Sequence, residues 1–361
     1  MQNIKFADVK LCSMISKIID EDLIQQAKEE ILNANKVVIV SHVSPDGDAI
    51  GSSLALCQFL TNMEKEVTVI MPNAFPDFLK WMPGADQILV YAEKKAQSEA
   101  AIANADLIFA LDFNVLHRIG EMGTYVADSK ARKVMVDHHL EPGGFADVII
   151  SYPSMPSTSE MIFRLICRMG YFTDLTKECA ECIYTGMMTD TGSFTYNSNN
   201  PELYIIISEL IKKGINKDDI HSKVYNNYSA DRFRLMGHLL SENMKVYPEI
   251  GTALLTLSSA ELKKYNFRKG DTEGFVNIPL SIKGIIFTAF IKEDVGMVKI
   301  SLRSHGSFPT NEFSAEVFGG GGHLNASGAE SYVSLAETVK KFEDALPKYK
   351  ERLIEEMNKS K

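Results

Sequence analysis

Residues 41–52, SHVSPDGDAIGS, determine how the first part of this chain folds and where its chemistry lies. The stretch follows a short apolar run, KVVIV at 36–40, and contains His42, Asp46 and Asp48. A buried run that ends in a polar turn and continues as a helical pattern is typical of an α/β unit. Gly47 permits a tight turn that brings the imidazole and the carboxylates together. Taken alone, the segment fits equally well a helix that Asp48 caps.

Three other segments place acidic or imidazole groups at the ends of apolar runs. Asp112 follows LIFAL at 107–111, Asp137, His138 and His139 follow KVMV at 133–136, and Asp190 ends CIYTGMMTD at 182–190. Ligands of doubly wound sheets bind beyond the carboxyl ends of the strands. Clustered carboxylates raise each other's pKa unless cations hold them together, and mixed oxygen and imidazole ligands suit Mn²⁺. The sequence therefore predicts a two-metal hydrolytic site.

Each segment also has a simpler interpretation. Asp112 fits a strand-end acid that caps Asn114 or the following turn, and a single histidine fits a buried structural residue. His138 and His139 are adjacent, so one can ligate a metal while the other meets a substrate phosphate. All four segments fall at the ends of predicted elements in one part of the chain, which favours a shared site.

Strand-like and helical patterns alternate through the first ~190 residues, which predicts an α/β fold with a doubly wound, mainly parallel sheet. The first predicted helix spans residues 13–35. From residue 246 onward strand patterns dominate, which predicts a smaller α+β domain joined by a linker helix. The predicted boundaries are 1–228 for the catalytic domain, 229–245 for the linker helix and 246–361 for the second domain.

A glycine-rich stretch, GGGGH at 319–323, is the second candidate site. Consecutive glycines expose backbone N–H groups and adopt positive φ, so the loop can form a nest that binds an anion. The simpler alternative is a flexible hinge. Arg303 and Ser304, which end the strand pattern VKISL, are plausible partners, because a guanidinium suits bidentate contacts with phosphate. A surface position is the commoner fate of an arginine.

Composition narrows the classes of function. The net charge of −9, from 38 basic and 47 acidic residues, argues against stable binding of duplex nucleic acid. No apolar run approaches the ~18–20 residues of a membrane span, and residues 1–12 lack the basic-then-apolar pattern that is typical of a signal peptide. The five scattered cysteines are expected to be reduced thiols in the cytoplasm. Cys179 and Cys182 form a CxxC inside a helical pattern, where a buried pair is favoured over a redox or zinc site.

The motifs SHVSPDGDAIGS, ALDFN, VDHH, TGMMTDTGSF, SLRS and FGGGGHLNASG, in this order, resemble those of the DHH/DHHA1 phosphoesterases. The size of the chain resembles the NrnA-type subgroup. That resemblance implies a hydrolase that degrades short single-stranded oligoribonucleotides to mononucleotides and converts 3′-phosphoadenosine 5′-phosphate to AMP. It implies two Mn²⁺ ions, with Mg²⁺ as the alternative, and leaves a homodimer open.

The resemblance also implies a role for each site residue. His42 and Asp46 would hold one ion, Asp48, His138 and Asp190 the other, and Asp112 would bridge both. A hydroxide between the ions would attack phosphorus. Asp137 would orient a ligand and His139 would contact the scissile phosphate. The rest of the nucleotide would be bound by residues of the second domain, namely Arg303, Ser304, Gly321, Gly322 and His323. Arg118 would be a further contact to phosphate.

Several related functions remain open from the sequence. A phosphodiesterase of linear or cyclic dinucleotides and a RecJ-like single-strand exonuclease share both domains, although the chain is too short for the further module of RecJ. Family II pyrophosphatases lack the GGGGH motif. A nucleotide sensor without catalysis is disfavoured, because a pure binder does not need so many carboxylates.

Overall fold

The computed structural model describes residue 15 and residues 17–359. The chain divides into two compact units, Met1–Asn227 and Tyr228–Lys361. The helix predicted over 13–35 is shorter than expected, because the described chain becomes helical only at Glu21, where the Asp20 carboxylate caps the first turn. Residues 13, 14 and 16 of that prediction, and Cys12, lie outside the described residues.

A six-stranded sheet forms the centre of the first unit, in the order β3-β2-β1-β4-β5-β6. Every neighbouring pair of strands in it is parallel, as predicted. The chain leaves β1 towards β2 and β3 and then crosses to β4 on the other side, which creates a switch point between β1 and β4. The strands are β1 (Lys36–Val40), β2 (Glu66–Met71), β3 (Leu89–Val90), β4 (Leu107–Leu111), β5 (Arg132–Asp137) and β6 (Val148–Ser151).

Helices cover both faces of this sheet, because successive residues of each strand point to opposite sides. Val37 and Ile39 of β1 pack into one apolar cluster, whereas Val38 and Val40 pack into another. The helices are α1 (Glu21–Asn33), α2 (Gly47–Asn62), α3 (Lys95–Ala103), α4 (Met122–Asp128), α5 (Thr158–Arg168), α6 (Lys177–Asp190), α7 (Pro201–Lys212) and α8 (Lys217–Tyr225).

The second unit is a mixed α+β fold, as predicted. Its sheet has the order β11-β12-β10-β9-β8-β7, in which β8 and β9 are parallel and the other neighbours are antiparallel. The strands are β7 (Met244–Tyr247), β8 (Thr252–Leu257), β9 (Phe287–Asp294), β10 (Met297–Ser304), β11 (Gly321–Gly322) and β12 (Ala326–Ser331). The helices are α9 (Ala230–Glu242), α10 (Ser259–Lys264), α11 (Thr310–Phe318) and α12 (Leu335–Lys359).

Helix α9 occupies most of the segment predicted as a linker. Leu235 and Leu239 on its inner face pack with Leu255, Leu257 and Phe290 in one apolar cluster of the second unit. The helix therefore contributes to the core of that unit.

Two predictions from the sequence concern the CxxC pair and membrane-spanning helices. Cys179 and Cys182 are buried on α6 and carry free thiols, which confirms the buried pair. Among residue 15 and residues 17–359, no helix combines the length and the apolar character that crossing a membrane requires.

Candidate metal centre

The carboxyl ends of β1, β4 and β5 bring the predicted ligands together at the switch point of the first sheet. His42 follows β1, Asp112 follows β4, and Asp137 ends β5 directly before His138 and His139. Because β1, β4 and β5 are neighbours in the sheet, their ends meet although the residues are far apart in sequence.

Asp112 lies at the middle of this cluster. Its carboxylate oxygens face two imidazoles, with 3.4 Å from Oδ2 to His42 Nε2 and 3.4 Å from Oδ1 to His138 Nε2. The backbone of Asp112 has a φ of 63°, in the left-handed region that L-residues seldom adopt. The side chain of Thr158 fixes the carboxylate by donating a hydrogen bond from Oγ1 to Oδ1 at 3.0 Å.

The turn before α2 places two more carboxylates beside the cluster. Asp46 is the N-cap of α2 and accepts hydrogen bonds from the backbone N–H groups of Asp48 and Ala49, both at 3.0 Å. Asp48, in the first turn, is buried and accepts from Thr158 N at 2.6 Å and Ser159 N at 2.9 Å. Asp46 thus caps the helix and Asp48 binds a neighbouring helix, so the simpler interpretation in which Asp48 is the cap is wrong.

Both histidines that are predicted to bind metal are oriented by backbone carbonyls. His138 Nδ1 lies 3.0 Å from Met155 O, and His42 Nδ1 lies 3.0 Å from Val43 O. Because a carbonyl only accepts, Nδ1 carries the hydrogen and the lone pair of Nε2 in the neutral ring points at the carboxylates. His138 Nε2 also lies 3.3 Å from Asp190 Oδ2, at the end of α6, and 3.9 Å from Asp48 Oδ2.

Asp137 and His139 form a second pair at the end of β5. The fully buried carboxylate of Asp137 lies 2.7 Å from His139 Nδ1 and accepts the backbone N–H of His139 at 3.0 Å. Burial lowers the pKa of His139, and the charge of Arg118 acts in the same direction. The backbone carbonyl of Arg118 accepts the N–H of Val43, which follows His42, at 2.8 Å. The Nη1 atom of Arg118 is buried with no hydrogen-bond partner among the described residues.

These distances fit divalent ions. Groups that could share an ion, with ligand atoms within 4.8 Å of one another, include His42, Asp46 and Asp112, and also Asp48, Asp112 and His138. Adjacent ligand atoms about 2.1 Å from an octahedral ion lie roughly 3 Å apart, close to the 3.3 and 3.4 Å between the imidazoles and the carboxylates. Burial and the charge of Asp112 raise the pKa of Asp48 to about 7, which cations would reverse.

In the second unit, the glycine-rich stretch is ordered by its neighbours. Gly319 ends α11 with a φ of 73°, and Gly321 and Gly322 form β11 against β12. A Cβ on Gly320 would lie 2.2 Å from the carbonyl oxygen of Gly328, and one on Gly322 would lie 2.5 Å from that of Ala326. Close backbone packing therefore explains glycine at 320 and 322, and the flexible-hinge interpretation is wrong.

The other predicted substrate contacts of the second unit lie beside this stretch. Arg303 is paired with Ala326, whose carbonyl accepts the N–H of His323 at 2.7 Å. The hydroxyl of Ser304 donates to Phe308 O at 2.7 Å and accepts from Asn325 Nδ2 at 2.9 Å. Ser304 therefore braces the loop, and its hydroxyl hydrogen is already engaged.

Thr158 and Ser159, which hold Asp48 and Asp112, were not predicted from the sequence. Their signal is PSTSE at 156–160, in which Ser157 caps α5 by accepting from Glu160 N at 3.1 Å. Thr189 and Thr191 flank Asp190 in the sequence. Their hydroxyls donate to helix carbonyls of Thr185 and Met187, at 3.0 and 2.6 Å.

Comparison with known proteins adds two domain matches. The model described as the DHH family, N-terminal domain, matches residues 36–187, and the DHHA1 domain model matches residues 252–356. The first match includes every predicted metal ligand except Asp190, which follows it by three residues.

Individual relatives extend across both units. The bifunctional oligoribonuclease and PAP phosphatase NrnA of Thermus thermophilus is 30% identical over 302 residues, which cover 83% of this chain and 86% of that protein. The protein of the same name from Bacillus subtilis is 26% identical and covers 82% of this chain and 89% of its own. The crystal structure of an exopolyphosphatase-related protein from Bacteroides fragilis is 59% identical, with a TM-score of 0.90, and the match covers 94% of this chain and 99% of that one.

Proposed function

The chain belongs to the DHH/DHHA1 family of phosphoesterases, and we propose from this premise that it hydrolyses very short oligoribonucleotides to mononucleotides and 3′-phosphoadenosine 5′-phosphate to AMP. The two relatives named bifunctional oligoribonuclease and PAP phosphatase support this choice of substrates. The observation that carries the proposal is the convergence of two imidazole Nε2 atoms and buried carboxylates at one end of the first sheet.

The proposed centre holds two Mn²⁺ or Mg²⁺ ions. His42 and Asp46 would bind one, Asp48, His138 and Asp190 the other, and Asp112 both, since its two oxygens face different imidazoles. When bound, the ions would supply a nucleophile at neutral pH and neutralise negative charge on the phosphoryl oxygens. The chain's own contribution is to fix these side chains in advance through Thr158, Ser159, Met155 and Val43.

Substrate phosphate would be positioned by two further groups beside the ligands. His139, held through Nδ1 by Asp137, would present Nε2 to an oxygen of the scissile phosphate. Arg118 would offer its buried Nη1, which has no partner among the described residues. A guanidinium so placed suits a phosphate, which presents several acceptor oxygens.

The second unit is proposed to bind the remainder of the nucleotide. The side chains of Arg303 and His323 and the N–H groups near Gly321 and Gly322 are the candidate contacts. Their support is the strand pairing that brings Arg303 and the 321–323 segment to the same end of that sheet. Ser304 would act through the shape of the loop, because its hydroxyl hydrogen is bonded to Phe308 O.

A substrate panel tests the proposal. The full chain is incubated with a diribonucleotide, a 20-mer, a cyclic dinucleotide and 3′-phosphoadenosine 5′-phosphate, with Mn²⁺ or with EDTA. We expect mononucleotide and phosphate release from the diribonucleotide and the phosphoadenosine substrate, dependent on Mn²⁺ and faster than cleavage of the 20-mer. Preference for the cyclic dinucleotide, or turnover in EDTA, would contradict the proposal.

Replacement of the bridging carboxylate tests the assignment of Asp112. Asp112→Asn keeps the size of the side chain and tolerates a positive φ, but it is a poorer ligand. We expect kcat to fall by roughly a hundredfold or more, because loss of even a supporting group around a metal commonly costs 10–100-fold. Circular dichroism checks that the variant is folded, and activity within a fewfold of the wild type would remove Asp112 from the bridging role.

A further inference from the structure

Helix α5 begins directly against two carboxylates of the candidate metal centre. Its first residue, Thr158, donates its backbone N–H to Asp48 at 2.6 Å and its hydroxyl to Asp112 at 3.0 Å, and Ser159 N donates to the other oxygen of Asp48 at 2.9 Å. Asp48 therefore receives a hydrogen bond at each oxygen from the positive end of a helix. Any rotation or shift of α5 would move both carboxylates together.

The first two turns of α5 carry a buried charge network that the proposed chemistry does not use. The side chain of Arg164 is 1% exposed. Its Nε donates to Glu160 Oε1 at 2.8 Å, and its Nη2 lies 2.7 Å from the same oxygen and 2.9 Å from Glu202 Oε2. Glu160 lies two residues after Thr158, and Glu202 lies in the first turn of α7.

Helix α7 connects this network to a third ligand. Asp190 is the last residue of α6, and residues 191–200 lead from it to α7, whose first turn is capped by Asn200. Arg164 thus joins the start of the helix that holds Asp48 and Asp112 to the far end of the segment that follows Asp190. Removing two charges from water is expensive, and apolar residues of similar volume often replace a buried ion pair without loss of stability.

We propose that Arg164 is a positioning residue, which ties Glu160 to Glu202 and thereby sets the spacing of Asp48, Asp112 and Asp190 that divalent ions require. This inference rests on the proposed function only in that the cluster binds metal. It assigns to the Glu160–Arg164–Glu202 network an effect on the affinity for metal that is separate from any effect on folding.

The test replaces the buried pair by apolar side chains. Glu160→Met and Arg164→Met are combined in the full chain, unfolding is followed in EDTA, and binding of Mn²⁺ alone is measured by calorimetry. We expect an unfolding midpoint within about 5 °C of the wild type. We expect the Mn²⁺ dissociation constant to rise about tenfold or more, as when supports of ligands are removed. A constant within twofold of the wild type in this variant would overturn the proposal.

The matched control is Arg168→Met on the same helix. Arg168 pairs with Glu21 on α1, away from the carboxylates that α5 holds. We expect Arg168→Met to leave the affinity for Mn²⁺ unchanged; a loss equal to that of the double variant would show a general effect of ion pairs on α5 and overturn the specific role of Arg164.

A milder variant keeps the proposal testable if the double variant does not fold. Glu202→Gln leaves the Arg164–Glu160 pair intact and changes only the partially exposed end of the network. We expect a rise of roughly threefold in the Mn²⁺ dissociation constant, and no change would overturn the proposal. Failure of the wild-type chain to bind Mn²⁺ would instead refute the metal centre of the proposed function.

Discussion

At the scale of single residues, the pKa values of two buried aspartates in the candidate centre are shifted in opposite directions. Burial and the charge of Asp112 raise the pKa of Asp48 to about 7. Burial also acts to raise the pKa of Asp112, but hydrogen bonds from His138 and His42 outweigh it and hold that pKa well below its usual range. Burial acts to lower the pKa of His138, yet its carboxylate neighbours raise it well above the usual value.

These shifts predict how the stability of the metal-free chain depends on pH. The unfolded chain releases the proton of Asp48 near its ordinary pKa of 3.8, whereas the folded chain keeps it to about 7. His138 acts in the same direction, because its raised pKa favours the folded state until the pH passes that value. Asp112 is ionised in both states between pH 5 and pH 8, so it adds almost no slope in this range. We therefore expect urea unfolding in EDTA to show lower stability at pH 8 than at pH 5.

The control for this dependence is Asp48→Asn, which removes one of the contributing groups. Its unfolding free energy in EDTA should change less between pH 5 and pH 8 than that of the wild type. At pH 8, saturating Mn²⁺ should raise the unfolding free energy of the wild-type chain above its value in EDTA, because ligands that bind only the folded state stabilise it. A wild-type chain that becomes more stable from pH 5 to pH 8 in EDTA would contradict the prediction.

Much of the convergence of the predicted ligands follows from sequence, because most of them end or directly follow an apolar run. His42, Asp112 and His138 were predictable from that pattern once the strands were assumed to be parallel. Thr158 was not, since its partner Asp48 lies 110 positions earlier and its contact depends on how α5 enters the sheet layer. Ser304 was predicted from the sequence to contact substrate. Only the geometry of the loop reveals that its hydroxyl is hydrogen-bonded to Phe308 and Asn325 instead.

At the scale of elements, α2 and α6 cross at glycines. A Cβ on Gly51 would lie 2.7 Å from the carbonyl oxygen of Cys182 and 2.9 Å from the backbone nitrogen of Gly186. A Cβ on Gly186 would in turn lie 2.8 Å from Asp48 Oδ1. These two helices carry Asp48 and Asp190, so their closest approach sets the separation of two proposed ligands.

A larger side chain where α2 and α6 cross should therefore affect both stability and metal binding. We expect Gly51→Ala to destabilise the chain by about 1–3 kcal/mol, because the new methyl group meets backbone atoms that cannot rotate away. Weaker binding of Mn²⁺ should accompany it. Urea unfolding and calorimetry provide the two measurements.

Gly237→Ala on α9 is the matched control for this substitution. Its Cβ would have no atom within 4 Å, so we expect stabilisation by about 0.5–1 kcal/mol, as for an exposed helical glycine. Equal effects of the two substitutions would contradict the close crossing. The helices themselves were predictable from apolar spacing, but their crossing was not, since a glycine in a helical pattern does not reveal what approaches it.

At the scale of the whole molecule, each unit has its own apolar core. One cluster of the first unit includes Ile39 and Phe109, and one cluster of the second includes Phe287 and Phe342. The sequence predicted two domains from the change in pattern near residue 246, whereas α9 packs within the second unit from residue 230. Apolar positions on a helix do not reveal which of two neighbouring cores they enter.

Separate cores predict separable roles. We expect a chain shortened to residues 1–227 to bind Mn²⁺ with an affinity near that of the full chain, because all proposed ligands lie within it. Its kcat/KM on a diribonucleotide should fall by roughly a hundredfold or more, since the proposed nucleotide contacts are absent. Calorimetry and steady-state kinetics measure the two quantities. Activity equal to that of the full chain would contradict a substrate-binding role for the second unit.

The left-handed backbone at Asp112 has an evolutionary consequence. Glycine, asparagine and aspartate are the residues that tolerate this conformation readily, and of the three only aspartate carries an anionic oxygen ligand. A glutamate, which many metal sites accept in exchange for aspartate, would here have to overcome a backbone penalty as well as a change in reach. Position 112 should therefore be intolerant even of the substitutions that conserve charge, and a saturation library selected for activity should recover aspartate alone.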